Sequence, residues 1–357
     1  MTGLEPSQAD SFRNASPFPH LVVDDFLPPD FYADLAETFP GFDEKASLNE
    51  FGETSRKAVR EKLPELGPAY ARFDEVMRSA DFLNRLSQVT GIPELLYDPL
   101  YVGGGTHENL EGQELDPHVD FNYHPTTRQH RRLNLILFFN DEWDAAWGGA
   151  LQFHRNPWEP ETDLVKTVSP KANRAVLFET SERSWHGFRK IRLPEAQKSL
   201  TRRSVAVYFY TQAPPADGAA TEHSTIYVPR PLPARFKPGM TLTEADQQEL
   251  EELLVRRNMQ IRYQHNQLQR ERENLWDVIA ERDQHISVLK AELESPDGAA
   301  AAVQRALDVN DGAARYIASM QQDLKGMREV LTQVESSFSF RIGRALTWPL
   351  RLLRPNS

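Results

Sequence analysis

Within DPHVDFNYH, residues 116–124, Asp116, His118, Asp120 and His124 are all able to bind a metal or move a proton. Chance alone supplies a His-x-Asp pair in a chain with 10 histidines and 52 acidic residues among 357, so its surroundings decide its weight. Residues i and i+2 of a strand point to one face, so His118 and Asp120 can grip one ion together. A non-haem iron site needs two imidazoles and one carboxylate on one side of the ion, with the other positions open. The second imidazole must then come from another strand. His186 fits, sixty-six residues after Asp120, beyond the strand-like NRAVLFET and the loop SERSW. His124 and His130 lack a carboxylate two residues away, and His107 and His154 sit at turn or strand-edge positions.

A second group suits an anion. TRRSVAVYFYT begins its alternation at Arg202, sixteen residues after His186. Ser204 shares the face of Arg202, whose guanidinium offers two parallel donors to a carboxylate. Arg203 would point the other way; Arg202 is favoured of the two.

The elements that must position these residues are short strands. LLYDPLYVGGGT, RLNLILFFND, GGALQFHR, LVKTVSP, NRAVLFET and RSVAVYFYTQ each read as a strand, with NDEWDAAWGG and SPKANR as turns. Many strands without intervening helices predict a sandwich, jelly roll or barrel. Before them, a strand is expected over His20–Asp24, a helix from Pro29 to Phe39, and one helical stretch over PAYARFDEVMRSADFLNRLSQVTG.

After residue 213 the texture changes. APPADGAATEHSTIYVPRPLPARFKPG reads as a Pro-rich linker. Leu254, Ile261, Leu268, Leu275 and Leu289 then keep a seven-residue spacing, and Val303, Ile317, Leu324 and Leu331 resume it after ESPDG. Sustained heptads predict a coiled coil and a homo-oligomer; Asn258, His265 and Arg272 in the partner positions suit register control. The expected organisation is a helical and stranded cap (1–90), a β core (91–213), a linker (214–243), a coiled coil (244–337) and a basic amphipathic tail (338–357). That tail carries four arginines and no acid among Phe, Trp and Leu, a composition that suits peripheral contact with an anionic membrane or with the acidic body.

A net charge of −11 argues against general nucleic-acid binding. The absence of cysteine excludes disulfides, Cys-ligated zinc and iron–sulfur clusters. No secretory signal and no spanning apolar run is visible, so a cytoplasmic protein is expected, with peripheral attachment at the inner membrane face if the tail binds lipid.

The order GGG, HVD, RRLNLILFFNDEWDAAWGGALQF, NRAVLFET, His186 and RRSVAVYFY resembles the Fe(II)/2-oxoglutarate-dependent dioxygenases, in particular their prolyl 4-hydroxylase-like branch, over residues 18–212. The resemblance implies a mainly β fold: a double-stranded β-helix (jelly roll) with flanking N-terminal helices, here followed by the coiled coil. It implies that His118, Asp120 and His186 hold Fe(II), and that Arg202, supported by Ser204, pairs the distal carboxylate of 2-oxoglutarate. It also implies O2 as co-substrate and ascorbate as a candidate accessory reductant. Asp120 favours hydroxylation, since halogenating members lack that carboxylate. Two departures stand out. RKIRLPEAQKSL lengthens the spacing from His186 to Arg202, and Phe138 stands where a tyrosine often reaches the co-substrate; Tyr101 or Asn134 is the expected substitute. The implied reaction is hydroxylation of a C–H bond with release of succinate and CO2. The substrate stays open among prolyl or peptidyl, free amino acid, sugar and lipid-linked groups, with residues 121–132 and 192–200 expected to line the entrance. The competing readings are a non-catalytic jelly-roll binding module on a coiled-coil scaffold, and a cupin-like metal enzyme without 2-oxoglutarate.

Overall fold

A computed structural model describes residues 3–43, 47–48, 54–215 and 220–293, and scattered helical positions between 309 and 329. The described helices are α1 (Ala9–Arg13), α2 (Pro29–Glu37), α3 (Pro68–Met77), α4 (Ala80–Thr90) and α5 (Glu244–Leu293). The first strands are β1 (His20–Val23), β2 (Ser47–Leu48), β3 (Thr54–Arg60), β4 (Leu96–Tyr97), β5 (Gly105–Asn109), β6 (Leu115–Val119) and β7 (His130–Phe138). They are followed by β8 (Leu151–His154), β9 (Val165–Val168), β10 (Ala175–Glu179), β11 (Trp185–Phe188), β12 (Arg202–Thr211) and β13 (Ile226–Tyr227).

Two antiparallel sheets form the jelly roll. One runs β1-β10-β7-β12-β5-β3-β2, with β4 also on β12; the other runs β13-β6-β11-β8-β9. The centre of the larger sheet is β12, whose two-residue period divides its work between two faces. Val205, Val207 and Phe209 point outward, where they join Leu133, Leu135 and Leu137 of β7 and side chains of α1–α4 in the main core. Arg202, Ser204, Ala206 and Tyr208 point inward. Between the sheets, Phe138, Val176 and Phe178 of the larger meet Leu151, Phe153 and Val168 of the smaller. The helical layer is thus a support for the back of the sheet that carries the inward-facing polar residues.

Local chemistry explains where the expected elements differ. The stretch expected as one helix over 68–91 breaks at Ser79, which caps α4 by accepting from Phe82 N at 3.3 Å. LLYDPLYVGGGT splits into the two-residue β4 and the start of β5, because the Asp98 carboxylate accepts from Leu100 N (2.8 Å) and Val102 N (3.1 Å) and bends the chain between them. The Pro-rich segment expected as a linker contains β13, which pairs Ile226 with Val119 and Tyr227 with His118. Accordingly the chain divides at Arg230/Pro231, inside the expected 214–243 linker rather than before it.

In the second unit, α5 begins on a reciprocal cap: Thr243 Oγ1 accepts from Asp246 N at 3.2 Å, and Asp246 Oδ2 accepts from Thr243 N at 3.0 Å. Its 50 residues span roughly 75 Å. Leu254 and Ile261 are 58% and 52% exposed along it. Most of the second heptad run lies outside the described residues, and the 338–357 tail lies wholly outside them.

Phe209 is fully buried, with its ring 6.1 Å from that of Phe82 on α4 and 6.0 Å from that of Tyr97 on β4. Phe209→Ala is expected to destabilise the unit ending at Arg230 by about 3–5 kcal/mol, read as a lower denaturant midpoint with an unchanged slope.

Candidate metal centre

Antiparallel pairing of β6 with β11 sets His118 directly opposite His186. Their ring centroids are 4.2 Å apart. The pairing depends on Gly187, where a Cβ would sit 2.6 Å from Leu115 O. Asp120, one residue past the end of β6, lies on the same side as His118. Its Oδ1 is 3.7 Å from His118 Nε2, and its Oδ2 is 3.5 Å from His186 Nε2. One ligand atom from each of the three residues falls within a 4.8 Å cluster.

The imidazoles are held ready for an ion. His118 Nδ1 lies 2.9 Å from Asp116 O, and His186 Nδ1 lies 2.9 Å from Ser184 O. A carbonyl only accepts, so each Nδ1 carries the proton and each Nε2 keeps its lone pair for a metal. Burial, then the neighbouring His186, brings the His118 pKa down to about 3, and burial lowers that of His186. Both rings are therefore neutral at pH 7. For Asp120, burial pushes the pKa up, but Arg131 and the two imidazoles, with a hydrogen bond from Asn134, outweigh it and hold it well below the usual carboxylate range. Two neutral nitrogens and one carboxylate oxygen form the donor set of a non-haem Fe(II) site.

Arg202 lies at the other side of the interior, 4% exposed. Its Nε donates to Gly149 O at 2.6 Å, and its guanidinium faces the rings of Phe188 (4.4 Å) and Phe138 (5.0 Å). Gly149 is required there. Its φ is +69°, and a Cβ would meet Trp143 at 2.9 Å and Arg202 Cδ at 3.3 Å. Burial lowers the Arg202 pKa to about 9, which leaves it charged at neutral pH. No carboxylate among the described residues pairs with it. Ser204, 1% exposed, shares its face, and His107 and Asn109 stand opposite the two on β5. His107 Nε2 and Asn109 Oδ1 are buried without a hydrogen-bond partner. Burial, reinforced by Lys57 and Arg202, keeps His107 neutral. A buried cation with a hydroxyl on the same face is a site suited to a carboxylate.

The other sequence candidates occupy different places. Arg203 points away, bonding Thr201 Oγ1 at 3.1 Å, with Glu108 3.8 Å off. The Tyr101 hydroxyl donates to Asp74 Oδ1 at 2.8 Å beside that of Tyr97, so it belongs to the helical side and cannot reach the anion site. Asn134 donates to Asp120 Oδ2 at 2.8 Å and accepts from Arg131, so it orients the metal side rather than the co-substrate. His124 takes Thr126 N and Thr127 N on its Nδ1 and supports the turn after Asp120. The 189–200 insertion is tied back by Gly112 N→Ile191 O (2.8 Å) and Arg192 N→Trp147 O (2.8 Å). It thereby becomes a wall behind Arg202.

Arg131, His107, Asn109 and Tyr227 were not singled out from sequence. Arg131 sits in the charged run RQHRR, which reads as loop, yet it is 1% exposed. Its only prior signal is strand parity with Leu133 and Leu135 reversed by the bulge opposite Phe209/Tyr210. Tyr227, 5.3 Å from the His118 ring, is hidden within Pro-rich sequence.

Comparison with known proteins gives three findings. Residues 105–210 match the model of the 2OG-Fe(II) oxygenase superfamily. No curated protein sequence matches the chain. Among solved structures, a Pseudomonas putida prolyl-4-hydroxylase shares 17% identity, covering 58% of this chain and 98% of its own, with a TM-score of 0.37. A prolyl hydroxylase from Trichoplax adhaerens, in complex with a hypoxia inducible factor oxygen degradation domain peptide, shares 12% over 57% and 88%, at 0.40. HygX from Streptomyces hygroscopicus, with nickel and 2-oxoglutarate bound, shares 15% over 61% and 96%, at 0.41.

The two buried arginines should respond oppositely to loss of charge. Arg131→Met leaves Asp120 as an uncompensated buried carboxylate and is expected to cost about 3–5 kcal/mol. Arg202→Met removes an unpaired buried cation and should leave the melting temperature equal or higher. Thermal melts without added carboxylates check the contrast.

Proposed function

We propose that this chain, which carries a 2OG-Fe(II) oxygenase superfamily domain over residues 105–210, is an Fe(II)- and 2-oxoglutarate-dependent dioxygenase that hydroxylates a C–H bond of a substrate yet to be identified. The observation that carries this reading is the convergence of His118, Asp120 and His186 in a jelly roll whose interior also holds an unpaired buried guanidinium, Arg202. Fe(II), 2-oxoglutarate and O2 supply the oxidative decarboxylation to succinate and CO2 and the hydroxylation.

The protein's share is placement. The two Nε2 atoms and Asp120 would hold the ion from one side, which would leave the other side for co-substrates. Arg202 offers paired donors to the distal carboxylate of 2-oxoglutarate, with the Ser204 hydroxyl on the same face. Arg202 is the counter-charge for that carboxylate, and Phe138 serves as an apolar face under the guanidinium rather than as a hydrogen-bond donor. Phe138, Phe153 and Phe178 are fully buried and keep bulk water from the ligand strands.

Anaerobic addition of Fe(II) and 2-oxoglutarate should give a visible charge-transfer band, absent in His118→Ala, and succinate should form on admitting O2. Absence of both in the native protein would refute the reading. Arg202→Met should raise the 2-oxoglutarate Kd by roughly 30-fold or more, the equivalent of about 2 kcal/mol for truncating one partner of a buried charge pair. Arg203→Met should leave it nearly unchanged.

We infer separately that α5 associates with α5 of other copies as a coiled coil. Leu254, Ile261 and Ile286 stand exposed on a helix with heptad spacing. Sedimentation should show an oligomer for the native chain and a monomer for the Leu254→Lys/Ile261→Lys variant.

A further inference from the structure

The inner face of the larger sheet continues past β12 onto β5 and β3. Antiparallel register sets Asn109 and then Lys57 beside Arg202 in one row, and His107 and then Val59 beside Ser204 in the next. Residues directly opposite one another share a face, so all six side chains point into the jelly roll. Exposure changes along both rows. Arg202, Ser204 and Asn109 are 4% exposed or less, whereas His107, Val59 and Lys57 are half-buried. The interior therefore opens toward β3, and Lys57 and His107 stand at that opening. No acidic residue shares this face of the three strands among the described residues. Although solvent reaches part of the His107 ring, its Nε2 is covered and has no hydrogen-bond partner.

We propose that the substrate carries an anionic oxygen group, a carboxylate, phosphate or sulfate, that Lys57 binds, and a hydroxyl or amide group that meets His107 Nε2. This rests on the Fe(II)/2-oxoglutarate reading above and narrows its substrate. Arg202 and Lys57 are two strand spacings apart, about 10 Å. The distal carboxylate held by the sealed Arg202 thus leaves the cation at the opening for a second anion. The Lys57 charge also acts across the cavity, since it opposes protonation of both His107 and His118. A cleft with one sign of charge and low-dielectric walls concentrates ligands of the opposite sign. An ammonium is a point charge on a flexible stem, so it suits a planar carboxylate and a tetrahedral oxyanion alike. His107 adds selection, because a site with a buried polar atom rejects a ligand that leaves that atom unpaired.

The test uses the full chain, loaded anaerobically with Fe(II) and saturating 2-oxoglutarate, and calorimetry with small probes. Propionate and sulfate should bind, and propionamide should not. The tighter of the two anions tells a carboxylate substrate from a phosphate or sulfate ester. Lys57→Met should raise the Kd of that anion by about 10-fold or more, and Lys57→Arg should retain most of the affinity. Both variants should keep the native charge-transfer band and 2-oxoglutarate Kd, which a folding defect or damage at Arg202 would change. 3-Hydroxypropionate should bind the native chain more tightly than propionate, and His107→Leu should abolish that difference. Binding of neither anion to the loaded native chain, or an unchanged anion Kd in folded Lys57→Met, would overturn the proposal. Equal Kd values for the two acids in the native chain would overturn the part assigned to His107. Absence of the charge-transfer band in the native protein strikes the underlying reading instead, so the two failures are told apart.

Discussion

A buried carboxylate, Asp120, is the point on which the rest of the site depends. Its ionised form would be strongly disfavoured in an apolar interior. It is kept because Arg131 lies against one of its oxygens and the Asn134 amide donates to the same oxygen. Each imidazole owes its neutrality to the same burial that threatens the carboxylate, and its orientation to a backbone carbonyl two residues earlier. Remove the guanidinium and the carboxylate has reason to take a proton. Tilt either Nδ1–H and a metal loses a lone pair. The β6–β11 register and the Gly187 close approach therefore serve electrostatics as much as packing.

The interior also carries a deliberate imbalance. Arg131 is charge-paired and Arg202 is not, although both are more than nine-tenths buried. An unpaired buried cation is maintained only where the surrounding structure over-determines it, and here Gly149, Phe138 and Phe188 do so. The insertion after His186 is part of that support, because Ile191 packs against Gly149 from behind. The lengthened spacing between His186 and Arg202 thus thickens the wall around the cation without moving it off β12.

Strand periodicity made much of this legible in the sequence. His118 and Asp120 sit two apart, and Arg202 and Ser204 sit two apart on a strand whose alternate residues feed the helical core. Parity alone therefore separates Arg202 from Arg203. The positions of these strands along the chain were legible because each run from RLNLILFFND to RSVAVYFYTQ is bounded by turn residues. What parity could not supply was long-range pairing within polar or irregular sequence. Arg131 lies beside a register shift, so counting from Leu133 puts it on the wrong face. Tyr101 precedes β5 by a turn with φ of +54°, which rotates its side chain to Asp74. Counting from the GGG run cannot reveal that rotation. Asn134 was expected to reach the co-substrate, but its neighbour Asp120 takes its amide instead.

The segment 220–230 shows how composition can hide a working part. Its small polar residues and Pro229, within a wider Pro-rich stretch, fit a surface linker, and strand rules demote a run that meets a proline to an edge. An edge is where it sits: β13 closes the smaller sheet against β6 and sets Tyr227 opposite His118. Side-chain bonds fix it on both flanks of that strand. Asn122 Nδ2 donates to Thr221 O at 2.8 Å, His223 Nε2 meets Glu182 at 2.9 Å, and Arg230 pairs with Glu114 and Asp116. Asp116 is also the residue whose carbonyl orients His118. The strap therefore acts on the ligand strand from two sides, through the ladder to Val119 and His118 and through Arg230 to Asp116. A residue pair such as Asp116 and Arg230, distant in sequence and joined only in the folded chain, stiffens His118 from outside the three-residue cluster. The first compact unit accordingly ends with this strap, at Arg230.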